Sequence, residues 1–155
     1  MIEKNQLKRG SLKLVEGTKN RNVSTLAVNI VASEDKKALI IDGSNTVDPY
    51  FMVKECKKTD LDERKILKKI MISRAFTAYQ WIDVIEKADQ KLNSEDFTFF
   101  GCADISSLFK DDEVNGYEGR WLRSRSIKRI RSIVQEKRLY GVIVDQEVDM
   151  FRRSK

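Results

Sequence analysis

The segment from Gly17 to Thr25 is the first one whose residue types and spacing could do chemistry. A glycine turn before a helix binds phosphate because backbone N–H groups and the positive end of the helix dipole face the anion. In the phosphate-loop template GxxxxGK[ST], Gly17 supplies the first glycine and Ser24 the Mg²⁺-binding hydroxyl. Asn22 replaces the second glycine, and Val23 replaces the lysine. We therefore predict a degenerate nucleotide-binding loop consisting of Gly17, Thr18, Lys19, Asn20, Arg21, Asn22, Val23, Ser24 and Thr25.

A run of basic residues from Gly119 to Arg138 is the second such segment. It contains eight lysines and arginines and one acidic residue, Glu136. On a helical wheel Trp121 falls among the cations, opposite an apolar arc. Single-stranded nucleic acids are bound by arginines that contact phosphates and by aromatic faces that stack on bases. We predict a nucleic-acid-binding surface that extends into the tail and consists of Trp121, Arg123, Arg125, Lys128, Arg129, Arg131, Arg152 and Arg153.

Two other interpretations of this basic segment are open. It could be the solvated face of a crossover helix, with Trp121 packed against a neighbouring loop, or it could bind an acidic protein. The acidic residues Asp111, Asp112 and Glu113 lie just upstream. They would either repel a phosphate or pair with the arginines.

The composition excludes several kinds of site. The chain has no histidine, which excludes Ser-His-Asp triads and histidine-bound metals. Cys56 and Cys102 are far apart and form no CxxC pair, so we predict no metal site. No apolar run approaches the roughly 20 residues of a membrane span, and we expect a cytoplasmic protein without a membrane partner. The net charge of +6 favours polyanionic partners.

Strand-like and helical patterns alternate along the chain. This alternation predicts an α/β fold with a mostly parallel five-stranded sheet and helices on both faces. The strands are predicted at Ser11–Gly17, Lys37–Gly43, Met71–Phe76, Phe97–Ala103 and Tyr140–Val144. Helices are predicted at about Ser24–Ala32, twice within Pro49–Ile70 with Asp60 as the second cap, at Ala78–Leu92 and at about Gly119–Arg138.

Nothing in the sequence marks an internal domain boundary. The 155 residues contain one proline and no repeat, so we expect one minimal domain over 1–155 with a short basic tail at 149–155. Asp42, at the end of the second predicted strand, is expected to cap a loop. The aromatic residues Phe76, Tyr79 and Trp81 are expected to pack in the core and at its rim.

Five collinear segments resemble RecA-like ATPases, particularly the archaeal RadA recombinase and its paralogues. The family's first strand and helix are similar to GSLKLVEG and VSTLAVNIV here, and its second strand is similar to ALIIDGSNTVDP. Its ARAFNTDHQ segment is similar to ISRAFTAYQ, which spans Ile72 to Gln80. The Walker B strand (VDSLTSHF) resembles CADISSLF, and VVVTNQV resembles VIVDQEV. The resemblance implies a RecA-like (P-loop NTPase-type) domain from Gly10 onward.

The same resemblance implies a loss of ATP chemistry. Val23 stands at the position of the phosphate-loop lysine, and Ser44 at that of the glutamate that orients the attacking water. Ala103 stands at the Walker B aspartate, one residue before Asp104. We therefore expect a pseudo-ATPase that has no catalytic residues and uses neither ATP nor Mg²⁺ as a cofactor.

The function expected from these features is that of a non-catalytic RadA-like paralogue in DNA recombination or repair. It would bind single-stranded DNA, a RadA-type recombinase, or both. One alternative is a protein-interaction subunit of an ATPase assembly, which pairs with an active ATPase or forms a homodimer through the sheet edge and Thr77–Gln80. The other is a weak nucleotide-binding ATPase, in which Lys19 or Arg21 reaches a phosphate and Asp104 takes the Walker B role.

Overall fold

The computed structural model describes residues 2–17, 21–94, 96–110 and 116–146. The strands are β1 (Ser11–Glu16), β2 (Lys37–Asp42), β3 (Ile70–Arg74), β4 (Phe97–Ala103) and β5 (Tyr140–Asp145). They form one sheet in the order β1-β5-β4-β2-β3, and each neighbouring pair is parallel. The described residues therefore have β4 at the centre of the sheet and β1 and β3 at its edges.

Helices cover both faces of this sheet. They are α1 (Arg21–Glu34), α2 (Pro49–Lys58), α3 (Glu63–Leu67), α4 (Ala78–Lys91) and α5 (Gly116–Lys137), with 3-10 turns at Lys4–Gln6 and Ser106–Lys110. One apolar core joins α1, α2 and α3 to one face, and a second joins α4 and α5 to the other. This confirms the predicted α/β fold. None of the helices in the described part of the chain has the length and apolar character that crossing a bilayer requires.

The central strand explains why the sequence predicted this sheet. All seven residues of β4 are buried. Phe99 packs with the core on the α1 face, and Phe100 packs with the core on the α4 and α5 face. Because both faces of such a strand are buried, its sequence is a continuous apolar run. This is typical of parallel sheets between two helical layers.

Several element boundaries differ from the predicted ones, and α1 begins at Arg21 and not at about Ser24. β3 ends at Arg74 and not at Phe76, and the N–H of Ala75 donates to the carbonyl of Asp42. The predicted cap Asp60 is wrong, because the carboxylate of Asp62 accepts from the N–H groups of Arg64 and Lys65 at the start of α3. The last helix, α5, begins at Gly116, three residues before the predicted start.

The position of α5 is fixed by a close approach to β5. A Cβ atom added to Gly141 would lie 2.5 Å from Cγ2 and 2.9 Å from Cγ1 of Val134. Only glycine therefore lets the helix and the strand come this close. The contact sets which side of α5 is buried and which side faces solvent.

We expect Gly141→Ala to lower the free energy of unfolding by about 1–3 kcal/mol, because the added methyl overpacks against Val134. Urea denaturation measures the change. Val134→Ala removes both clashing methyl groups, so adding Gly141→Ala to that variant should cost much less. Strictly additive losses would show that the two residues are not in contact.

Candidate functional site

The position predicted for phosphate binding lies at the carboxyl end of the sheet, between β1 and α1. The N–H of Gly17 donates to the carbonyl of Asp145, 2.8 Å away, which ties the end of β1 to the end of β5. Thr18, Lys19 and Asn20 lie outside the described residues. The described part of the degenerate loop is therefore Gly17 and the first turn of α1, which begins at Arg21.

Val23 is a core residue in this first turn. Its side chain is completely buried, and a Cβ atom added to Gly101 of β4 would lie 2.8 Å from its Cγ1 atom. Ser24 and Thr25 are buried as well, and Thr25 Oγ1 has no hydrogen-bond partner among the described residues. The position that corresponds to the phosphate-loop lysine therefore faces the middle of the sheet.

A small polar pocket lies between the start of α1 and α2. It has a volume of about 200 Å³ and is lined by Arg21, Ser24, Thr46, Asp48, Phe51 and Lys54. The guanidinium carbon of Arg21 lies 5.2 Å from the centre of the Phe51 ring, and the carboxylate of Asp48 accepts from the N–H of Tyr50 as the cap of α2. Sites for small molecules generally have roughly 300–1,000 Å³. The pocket is smaller than that range.

Asp42 organises the loop that follows β2. Its fully buried carboxylate accepts from the N–H of Ser44 at 3.0 Å, from the N–H of Val47 at 2.8 Å and from the guanidinium of Arg74. Arg74 also donates to the carbonyl of Val47. The hydroxyls of Ser44 and Thr46 are 2.7 Å apart and share a hydrogen bond. Asp42 therefore caps a loop, as the sequence predicted, and Ser44 forms part of that capped loop.

The Walker B position lies beside this loop, at the end of β4. Ala103 is fully buried, and its carbonyl accepts from the N–H of Gly43 at 2.8 Å. Asp104 is partly buried and has a left-handed backbone with φ of 52°. Its carbonyl oxygen is so close that a Cβ atom on Gly43 would lie 2.5 Å away. The ends of β2 and β4 are thus packed directly against each other.

Another carboxylate at this edge is bound to the protein itself. Asp145, at the end of β5, is buried and accepts from both the N–H and the hydroxyl of Ser106. No group of three or more acidic or cysteine side chains that could hold a metal occurs in the described ranges. The described residues therefore do not supply two groups of an Mg²⁺·ATP site: the position that the resemblance assigns to the phosphate-loop lysine is Val23, in the core, and the position that it assigns to the Walker B aspartate is Ala103.

The two cysteines do not provide a nucleophile either. Cys56 and Cys102 are both buried and unbridged. Burial raises the pKa of each thiol, so both stay protonated near neutral pH. Reactive cysteines need the thiolate form.

The exposed side of α5 is the second candidate site. The buried side of this helix consists of Gly119, Leu122, Ser126, Ile127, Ile130, Ile133 and Val134. On the opposite side Tyr117, Trp121, Arg125 and Lys128 are all exposed, and their spacing of four, four and three residues places them in one line. The line is about 16 Å long, from the 1.5 Å rise per residue. We call these four residues the α5 stripe.

Within the α5 stripe, cations and aromatic rings are close together. The guanidinium carbon of Arg125 lies 5.2 Å from the centre of the Trp121 ring. Trp121 keeps 52% of its surface exposed, and Tyr117 keeps 76%. Both rings therefore have surface available to a ligand. Trp121 was predicted, whereas Tyr117 was missed because the predicted helix began after it. Continuing the spacing of four residues backwards from Trp121 would have found it.

Arg129, which the helical wheel grouped with Trp121, faces the neighbouring helix instead. Its guanidinium donates to Glu86 at 3.2 Å and to Asp89, both on α4. Burial lowers the pKa of Arg129, but attraction to Asp89 and the hydrogen bond to Glu86 outweigh burial, so the pKa lies above its ordinary value. Lys137 also pairs with Asp89, at 3.1 Å. These pairs hold α5 against α4.

Two of the remaining predicted nucleic-acid-binding residues, Arg123 and Arg131, do not join the stripe. Arg123 and Arg131 are half-buried, with Nε of Arg123 and Nη2 of Arg131 inaccessible to solvent. Arg152 and Arg153 lie outside the described residues, as does the acidic segment 111–113. The structure therefore brings Trp121, Arg125 and Lys128 together on one exposed line, and it adds Tyr117.

The segment from Phe76 to Trp81 carries further aromatic side chains. Trp81 is completely buried in the core, as expected. Phe76 and Tyr79 are instead exposed by 61% and 48%. The hydroxyl of Tyr79 donates to the carboxylate of Glu118 in the first turn of α5. The start of α4 and the start of the α5 stripe are thus neighbours on the surface.

A parallel five-stranded sheet between two helical layers is the fold of a RecA-like α/β domain. A protein-family model described as Rad51 matches residues 22–148 of the 155. Because the match covers most of the chain, this protein belongs to the Rad51 family of RecA-like recombination and repair proteins. The matched region begins at Asn22, inside the degenerate loop, and includes α5. No curated protein matches the chain.

We expect Val23→Lys to destabilise the protein by several kcal/mol without creating phosphate binding, because the ammonium group would be buried in the core. Urea denaturation and calorimetry with ATP measure the two effects. Asn22→Lys is the matched control, because it adds the same charge at a partly exposed neighbouring position and should cost no more than about 1 kcal/mol. A stable Val23→Lys variant that gains ATP binding would contradict the placement of Val23.

Proposed function

We propose that this Rad51-family protein works in DNA recombination or repair as a non-catalytic paralogue that binds single-stranded DNA. The α5 stripe is the observation that carries the proposal. Arg125 and Lys128 offer positive charge to phosphates, and Tyr117 and Trp121 offer aromatic faces to bases. Unpaired bases can stack on such rings, whereas the bases of a duplex are stacked on each other. The stripe therefore favours a single strand.

The geometry of the carboxyl edge of the sheet supports the absence of ATP turnover in this proposal. Phosphoryl transfer needs charge on the phosphates and a residue that orients the attacking water. Val23 is in the core, Ser44 belongs to a capped loop and Ala103 has no side-chain oxygen. We propose that the protein needs neither ATP nor Mg²⁺ for its function. Its contribution would be binding.

A contact with a recombinase is a second candidate function, favoured by the exposure of Phe76 and Tyr79. Large apolar side chains that are exposed next to each other are typical of protein interaction sites. These two residues lie near the α5 stripe through the hydrogen bond between Tyr79 and Glu118. A protein that bound both ligands could present DNA to an active recombinase.

We expect labelled single-stranded DNA to bind with a steep salt dependence, measured by fluorescence anisotropy at about 50 and 200 mM salt. Arg125→Gln and Lys128→Gln should each weaken binding and each reduce the slope of log K against log salt by about 1. Lys58→Gln is the matched control, because Lys58 is an exposed cation at the end of α2, on the other face of the sheet. That variant should bind like the unmodified protein.

The result that overturns the DNA proposal is an absence of binding at the lower salt concentration. Equal losses for Lys58→Gln and Arg125→Gln would also contradict it, since they would indicate attraction to net charge and not to the α5 stripe. If the protein instead binds a recombinase and not DNA, the second candidate function holds. Pull-down with Phe76→Ala and Tyr79→Ala variants tests that case.

A further inference from the structure

A groove between α4 and α5 lies beside the α5 stripe. It has a volume of about 350 Å³. The half-buried Ile82 of α4 contributes apolar surface to it, with the buried Ile85 beneath, and Glu86 and Arg129 form a charged pair on its wall. Sites for small molecules start at roughly 300 Å³, so the groove has room for a single small ring system.

The groove and the α5 stripe form one continuous surface. A second depression of about 260 Å³ is lined by Trp121, Ser124, Arg125 and Lys128. Arg125 and Lys128 also line the groove between the helices. Two exposed cations therefore stand where the two depressions meet. A ligand bound along the stripe would pass the mouth of the groove, where Arg125 and Lys128 would lie beside the ligand's negative charges.

We propose that this groove receives one unpaired base of the DNA strand that the α5 stripe binds. This inference rests on the proposed function and deepens it. Ile82 offers an apolar face to the ring, while the Arg129 guanidinium and the Glu86 carboxylate supply a donor and an acceptor for its polar edge. Arg125 and Lys128, at the mouth, would contact the phosphates on either side of the inserted base.

The chemistry of the groove makes its occupant a nucleobase and not a free anion. A free phosphate would gain nothing from contact with the apolar surface of Ile82 and would be repelled by the carboxylate of Glu86. An apolar peptide side chain would leave the two cations at the mouth without a partner. A base joined to phosphates uses both features. Insertion also requires a single strand, because a paired base would first have to leave its stack.

The test fills the groove without changing the stripe. Ile82 is half-buried and lines the groove, so Ile82→Trp occupies its volume while Tyr117, Trp121, Arg125 and Lys128 remain. We expect affinity for single-stranded DNA to fall by about tenfold, in line with the loss of one base contact, with the salt slope unchanged. Gln90→Trp is the matched control, because Gln90 is exposed on the same helix and does not line the groove. That variant should bind normally.

A measurement on the unmodified protein covers the case in which Ile82→Trp does not fold. Oligonucleotides carry the fluorescent base 2-aminopurine at one position at a time, and acrylamide quenching reports how accessible it is. We expect one position to become shielded on binding, and to stay shielded in Trp121→Ala, which removes stacking on the stripe but leaves the groove open.

The outcomes separate this inference from the proposed function. Salt-dependent DNA binding with full affinity in Ile82→Trp would overturn base insertion and leave the proposed function intact. Loss of all shielding in Trp121→Ala, at protein concentrations where anisotropy shows the DNA fully bound, would do the same, since stacking on the stripe would then explain the shielding. If the unmodified protein binds no DNA at low salt, both proposals fall together.

Discussion

The packing of α1 on the middle of the sheet is the constraint on which the carboxyl edge of this protein depends. Val23 presses against β4 at Gly101, where any side chain would clash with Val23 and with Phe99. Burying a valine contributes roughly 1.5–3 kcal/mol to stability. The contact that holds α1 on the sheet thus buries Val23, so this side chain cannot reach a ligand.

Two carboxylates at this edge are also bound by other residues of the protein. Asp42 binds two backbone N–H groups and Arg74, and Asp145 binds Ser106. A buried carboxylate is tolerated when partners compensate its burial: Asp42 is paired with Arg74 and hydrogen-bonded, and Asp145 is hydrogen-bonded to Ser106. The two carboxylates therefore stabilise the ends of β2 and β5. The α5 stripe belongs to a different part of the molecule, the outer side of α5.

Much of the fold could be predicted because each buried strand is an apolar run between turn residues, as β4 is. The prediction failed where the environment of a side chain depends on an element that is distant in the sequence. A helical wheel gives the angle of Arg129 around α5, but only the position of α4 brings Glu86 and Asp89 to it. Tyr117 was missed for a local reason, since the start of the helix was placed three residues late. The burial of Val23 is a packing result and does not follow from the motif comparison.

Calorimetric titration of the protein with ATP and with ADP, at millimolar nucleotide with Mg²⁺, tests the central claim most directly. The claim is that this Rad51-family protein retains a RecA-like core, and we propose that it binds no nucleotide because Val23 is buried at the position of the family's phosphate-loop lysine. We predict no saturable heat with either nucleotide. Saturable binding of either nucleotide, lost when Ser24 is changed to alanine, would contradict the account.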